Sequence, residues 1–143
     1  MASLSDSTIN KLIDFYFRGV TVTPPTTLYA ALFTVAPTKA GGGTEVAGGS
    51  YARVGLACTA TNWAATNAAG STASPSTGTS DQTSNNAAIT FPTSTASWGT
   101  IVACGLYDAA TGGNLVSFGS LSATIGSGVT PSFAAAALVQ SFS

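Results

Sequence analysis

Nine residues of the 143 carry a formal charge, four basic and five acidic, and histidine is absent. An average domain is roughly a quarter Asp, Glu, Lys and Arg. The shortage removes most of the side chains that carry out acid–base chemistry, hold metals or grip phosphates. Cys58 and Cys104 are the two thiols. Without an imidazole they do not make up a standard zinc site, and neither thiol has a base to take its proton. Both lie in apolar, strand-like stretches and read as small buried side chains, with a disulfide left open for an oxidising compartment. Gly41-Gly42-Gly43 lacks the Lys-Ser/Thr of a phosphate loop and no helical pattern follows it. Asp108, near Gly112 and Asn114, brings too few hard oxygens for calcium and reads as an Asx-type turn cap. The sequence therefore predicts no enzyme, with no catalytic residue, no cofactor and no metal.

What remains is chemistry of contact. Arg53 is the lone cation from residue 40 onward, and Glu45 lies in the loop just before it. An isolated guanidinium invites a carboxylate fork. Glu45, Asp108 or a group on another subunit could supply it, so Arg53 is both a structural salt-bridge candidate and an interface candidate. Trp63 and Trp98 are large apolar anchors, with core packing the first expectation and an exposed interface the second. Ile9, Leu12, Ile13, Tyr16 and Phe17 fall at i, i+3, i+4, i+7 and i+8, one face of a helix over about residues 5–18. Asp6 or Ser7 can cap its start and Gly19 its end. The stripe must dock somewhere, and the expected place is the chain's own sheet, since short helices are rarely stable undocked. The candidate interface is thus Ile9, Leu12, Tyr16, Arg53, Trp63 and Trp98.

The elements that must position these residues are strands. Residues 27–34 are apolar on both faces, as in a central strand covered on two sides. Residues 51–59 resume strand character, with Ala52, Val54, Leu56 and Cys58 on one face. A short strand puts Ile89 and Phe91 on one side. Another starts at Trp98 and runs through Ile101, Ala103, Gly105 and Tyr107. Gly112-Gly113 between two apolar runs is the best hairpin signal, with residues 115–121 returning. The tail alternates through Phe133, Ala135, Ala137 and Val139 as a last strand. Residues 64–86 collapse into Ala, Thr, Ser, Asn and Gly with one Pro, and read as a loop or extended arm whose residues 71–84 are dispensable to the core. Strands separated by Gly-rich turns predict an all-β fold, a mainly antiparallel sandwich or barrel, jelly-roll-like, with one N-terminal α-helix. All 143 residues fit one domain.

Charge and hydropathy narrow the partners. A net charge of -1 provides no field to attract nucleic acid or an anionic membrane. No apolar run approaches the roughly 20 residues that span a bilayer. Residues 1–10 are polar and lack a basic cluster, so no secretory signal is expected and the simplest origin is the cytoplasm. A surface of Ser, Thr, Asn, Gly and Ala suits a subunit packed into a large assembly.

Several short motifs occur in order: Thr27-Leu28-Tyr29-Ala30-Ala31-Leu32-Phe33-Thr34, Gly43-Thr44-Glu45-Val46, Tyr51-Ala52-Arg53, Ile89-Thr90-Phe91-Pro92-Thr93, Trp98-Gly99-Thr100 and Gly105-Leu106-Tyr107-Asp108-Ala109. With Asn10-Lys11-Leu12-Ile13-Asp14 and Thr111-Gly112-Gly113-Asn114-Leu115, the chain resembles a family of small tailed-bacteriophage virion structural proteins. Members of that family are described as tail-fibre-like or as head decoration proteins. The resemblance implies a virion component without enzymatic activity. The expected role is a capsid decoration or cement protein on the head surface, bridging copies of the major capsid protein and of itself as a homo-oligomer such as a trimer. The absence of long repeats or heptads favours that role over the alternative, a tail-fibre-like or receptor-binding component.

Overall fold

The computed structural model describes residues 2–142. Its strands are β1 (Ala2–Leu4), β2 (Thr27–Val35), β3 (Thr44–Glu45), β4 (Val54–Ala57), β5 (Gln82–Ser84), β6 (Ile89–Thr90), β7 (Gly99–Tyr107), β8 (Leu115–Ile125), β9 (Ser132–Phe133) and β10 (Val139–Ser141). One helix, α1 (Asp6–Phe17), lies among the described residues. The antiparallel β architecture with a single N-terminal helix is the one expected. Six strands form the main sheet in the order β1-β8-β7-β2-β3, and β4 pairs with β2 on the same edge as β3. Two two-stranded ribbons, β5–β10 and β6–β9, complete the strands.

β2 is central because its sequence suits nothing else. Ala30 to Phe33 are consecutively buried, and period-2 alternation divides them between two cores. Ala30 and Leu32 join the larger cluster with Leu56, Ile89, Phe91, Trp98, Ile101, Cys104, Leu106, Ile125 and Leu138. Ala31 and Phe33 join Ala103 in a smaller one, against which Tyr107 packs. Each fully buried side chain of this size contributes about 1.5–3 kcal/mol, so the larger cluster dominates stability.

Strict alternation fails in β7. Ile101 and Ala103, two residues apart, belong to different cores because the pairing with β8 shifts between them. The extra residue of this bulge lies in β8, where Leu121 and Ser122 together stand opposite the exposed Val102. Beyond it, Cys104 and Leu106 return to the larger core. A second shift, between Leu106 and Tyr107, skips Val116 in β8.

The edge of β2 has a gap where β4 ends and β3 begins. The Leu32 amide falls in that gap and donates to the Tyr51 hydroxyl at 2.9 Å, while the Leu32 carbonyl accepts from the Val46 amide at 2.9 Å. Burial, above all, pushes the Tyr51 phenol well above its ordinary value, so it stays protonated. Its ring stacks on Phe91 at 6.2 Å and meets Trp98 edge-on at 5.3 Å. The Trp98 indole donates to the Gly49 carbonyl at 2.9 Å. Gly49 sits at φ +55, and a Cβ there would stand 2.9 Å from the indole nitrogen, so this close approach needs glycine. Trp98→Phe keeps most of the packing and loses that donor. The expected cost is about 1–2 kcal/mol, read as a thermal midpoint about 5 °C lower. An unchanged midpoint would show the bond to be idle.

Three expectations need correction. The tail is not one strand: β9 and β10 are separated by a turn with Ala136 at φ +64, which leaves Leu138 and Gln140 buried and Val139 exposed. Cys58 is exposed, whereas Cys104 is buried, and both are free. Burial pushes the Cys104 thiol up to about 12 and also raises Cys58. Residues 64–86 do not extend as an arm. They fold back on the domain, with the Ala64 amide on the Ser84 carbonyl at 2.8 Å and the Asn86 amide on the Asn62 carbonyl at 2.6 Å. Ala64, Ala65, Ser84 and Asn85 are buried, and β5 pairs in register with β10. Removing residues 71–84 would take β5 away, so that stretch is part of the fold.

Candidate assembly surface

α1 begins at Ser5, whose side chain accepts from the Thr8 amide at 3.2 Å, so Ser5 and not Asp6 or Ser7 is the cap. Asp6 follows in the first turn, where a carboxylate suits the helix dipole. The helix ends where Gly19, at φ +67, turns the chain so that the Val20 amide reaches the Asp14 carbonyl at 3.0 Å.

The docking of α1 inverts the usual arrangement. Ser5, Thr8 and Lys11, three residues apart, form the stripe that touches the domain. The Ser5 hydroxyl donates to the Leu115 carbonyl. The Val116 carbonyl accepts from the Ser5 amide at 3.0 Å and from the Thr8 hydroxyl at 2.9 Å. Lys11 pairs with Asp108 at 3.6 Å. The bulge in β8 explains the preference: it leaves a carbonyl without a strand partner, and a polar helix stripe supplies the donors. The apolar stripe expected to dock on the sheet is therefore turned out. No residue of α1 is buried, and Tyr16 is 72% and Phe17 84% exposed. Leu12, Ile13, Phe15 and Val20 are exposed as well. Between α1 and the segment after it runs an apolar groove of about 390 Å³, lined in part by Leu12, Phe15, Val22, Pro25 and Val116.

The remaining candidates separate. Ile9, Leu12 and Tyr16 share α1, with Ile9 half-buried. Arg53 does not face a partner: its side chain is 8% exposed and satisfied within the chain. Its Nε and Nη2 grip the two Glu45 oxygens at 2.9 and 2.7 Å, and its Nη1 donates to the carbonyls of Ala109 and Gly112. The guanidinium carbon also lies 3.6 Å above the Tyr107 ring. The Glu45 bond is the main reason its pKa rises further. Trp98 is a core anchor, so both it and Arg53 are withdrawn from the interface. Trp63 is half-buried beside a cleft of about 400 Å³ that Cys58, Leu106 and Gln140 also line. Its neighbours show no bond to the indole nitrogen among the described residues. Phe15 and Val20 were the exposed residues that periodicity left out. Their signal was that residues 12–17 are apolar at every position but Asp14, more than one buried face uses.

Asp108 closes the β7–β8 hairpin, as the Asx-cap reading expected. It accepts from the Asn114 amide at 2.6 Å and the Asn114 side chain at 3.0 Å. Burial works to raise its pKa, but the two Asn114 donors and Lys11 outweigh it and hold the carboxyl below its ordinary value. A depressed carboxylate contributes stability that is present above its unfolded pKa and lost as pH falls through the folded one. Asp108→Asn should therefore lower the thermal midpoint at pH 7, with the difference from wild type closing as pH drops below about 4. A difference that stayed constant down to acid pH would remove Asp108 from the charge balance.

No three His, Cys, Asp or Glu side chains gather for a metal among the described residues. No helix there is long and apolar enough to cross a membrane. The family model described as Podophage GP4 fiber I protein gp80 matches residues 3–141. No curated protein matches the chain.

Proposed function

The chain belongs to the Podophage GP4 fiber I protein gp80 family, a bacteriophage virion structural family, and on that premise we propose that it is a fibre-type structural subunit acting by adhesion and not by catalysis. The observation that carries the adhesive role is α1, a helix with no buried residue and six large apolar ones facing out, counting Val20 just beyond it. Exposed apolar area of this kind marks an interaction site. The family description supports a place in a virion appendage. The raised thiols and the three internal ion pairs support a purely structural part.

A second reading has the subunit as a cement protein on the head, where it would join copies of the major capsid protein. One observation favours it: a chain of 143 residues folded as short strands lacks the long repeats or heptads of a fibre shaft. Gold-labelled antibody against the purified chain, applied to intact particles, separates the two. Label confined to tail appendages is expected. Label spread evenly over the head would replace the fibre reading with the cement one.

A further inference from the structure

Little that is apolar fastens the first part of the chain to the rest. From Ala2 to Thr26 the one buried residue is Ser5, a polar one. Neither core cluster, nor the apolar side chains packed against it, includes a described residue before Leu28. Where apolar side chains of this part face the domain, they meet gaps. Leu4, the one large apolar residue of β1, lines the cleft of about 400 Å³ beside Trp63. Leu12 and Phe15 line the groove of about 390 Å³. The fastening is polar and gathered at one end. It consists of the pairing of β1 with β8 from Ala2↔Gly119 to Leu4↔Ser117, the Ser5, Thr8 and Lys11 contacts, and the Asp6 amide on the Lys39 carbonyl at 2.9 Å. From Leu12 to Pro25 the bonds among the described residues stay within the segment, with the Arg18 and Val20 amides on the Asp14 carbonyl and the Arg18 side chain on the Asp14 carboxylate. The Cys58 amide then holds the Thr26 carbonyl at 2.9 Å, where β2 and the covered sheet begin.

We infer that residues 2–25 form a detachable arm, which opens from the domain as one unit while the sheet stays folded. Burial is the dominant favourable contribution to a fold, and the arm adds almost none of it to the domain, so lifting the arm leaves both cores whole. The bonds it makes are cheap to break, because water reaches the Leu115, Val116 and Lys39 carbonyls once the arm has left and replaces the lost donors. Segments with few buried contacts and water-accessible hydrogen bonds open at free energies well below the global one. Ser5 makes the opening cooperative. It follows β1 directly, caps α1, and bonds to the Leu115 carbonyl through its hydroxyl and to the Val116 carbonyl through its amide. Releasing the strand therefore uncaps the helix, and a helix of 12 residues is marginal alone. The far boundary is free to turn: Gly19 sits at φ +67 with open space around it, and residues 18–25 are exposed or half-buried. An arm held this way can be handed to a neighbour without unfolding the domain, whichever part of the virion the subunit occupies.

Amide hydrogen exchange of the full chain in a urea series, followed residue by residue by NMR, tests this. The arm reporters are the Ser5, Asp6 and Ile9 amides, which bond to β8, to the loop at Lys39 and within the first turn of α1. The Val46 and Trp98 amides, on the Leu32 and Ile125 carbonyls, report the domain. After correction for intrinsic rates, the three arm amides are expected to share one protection factor, at least about 100-fold below that of Val46 and Trp98, with a shallower urea dependence. Thr8→Val removes the donor to the Val116 carbonyl and keeps shape and helix propensity. It should speed all three arm amides by one common factor of about five and leave Val46 and Trp98 unchanged. Ile13→Ser, on the outward side and again matched in propensity, should leave every reporter within about twofold of wild type. Arm amides that exchange only together with Val46 and Trp98 would overturn the inference. Unequal protection at Ser5, Asp6 and Ile9 would overturn it too, as the sign of fraying from one end. An Ile13→Ser effect as large as that of Thr8→Val would do the same, since the apolar face would then be holding the helix. None of these results bears on where gold label falls on the particle, so the two readings fail separately.

Discussion

Asn85→Ala is expected to cost about 3 kcal/mol of folding stability. Asn85 is 0% exposed. Its amide nitrogen donates to the Ala87 and Ala134 carbonyls at 2.8 Å each, and its amide oxygen accepts from the Leu138 amide at 2.8 Å. Its own carbonyl takes the Ala136 amide at 2.6 Å. One side chain therefore ties the returning end of the 64–86 loop to the turn between β9 and β10. Truncation orphans three backbone groups: the buried Leu138 amide costs about 1–3 kcal/mol when left unmade, whereas the carbonyls of half-buried Ala87 and exposed Ala134 recover part of theirs from water. Urea denaturation reads the difference directly. A loss under about 1 kcal/mol would mean that the backbone re-pairs without Asn85. Asn85→Asp adds a sign test: burial raises the folded pKa of the new carboxyl, so its stability should recover as pH falls and worsen as pH rises through that value.

Arg53→Ala should cost about 3 kcal/mol, within the range for breaking a desolvated ion pair from one side. The change leaves Glu45 with the Tyr51 hydroxyl, 2.8 Å away, as its remaining side-chain donor. It frees the Ala109 and Gly112 carbonyls and uncovers Tyr107. Four of the five guanidinium N–H donors are engaged, so Arg53→Lys is not conservative: an ammonium cannot span a carboxylate and two carbonyls in one plane. The group links β3, the segment before β4 and the β7–β8 hairpin, which brings the loop at Asp108 to the place where Lys11 meets it. Loosening Arg53 should thus also loosen α1, seen as faster amide exchange at Thr8 and Lys11. The double variant Arg53→Ala/Glu45→Ala should lose less than the two single losses added together. Losses that add within about 0.5 kcal/mol would show that the pair is not coupled.

Much of this was legible in the chain. The apolar run 27–34 could only be a covered central strand, because eight residues without a charge leave no face for water. Gly112-Gly113 between apolar runs specified the β7–β8 hairpin, and Ile89 and Phe91 share a buried face as alternation predicts. Arg53 was singled out by its isolation, and Glu45, one of its named candidate partners, proved to hold it. These are local signals, carried by period and by composition within a few residues.

Other features have no local signal. β1 lies in a polar segment, and its pairing with β8 depends on a partner more than a hundred residues away. Residues 64–86 looked dispensable because they lack large apolar side chains, yet they are held by backbone bonds and by Asn85, which hydropathy ignores. The β8 bulge opposite Val102 separates Ile101 and Ala103 into different cores, a register effect invisible along one strand.

The sequence by itself determined the fold class, the scarcity of ionisable groups and the presence of a short apolar helix, since all three follow from composition and periodicity. Only the tertiary structure decided which side of that helix meets the domain. An apolar stripe can be buried at home or kept for a partner, and propensity is the same in both cases. Here the unpaired carbonyls of β8 needed donors, Ser5, Thr8 and Lys11 lay on the side that could reach them and Asp108, and the greasy face was left turned to solvent.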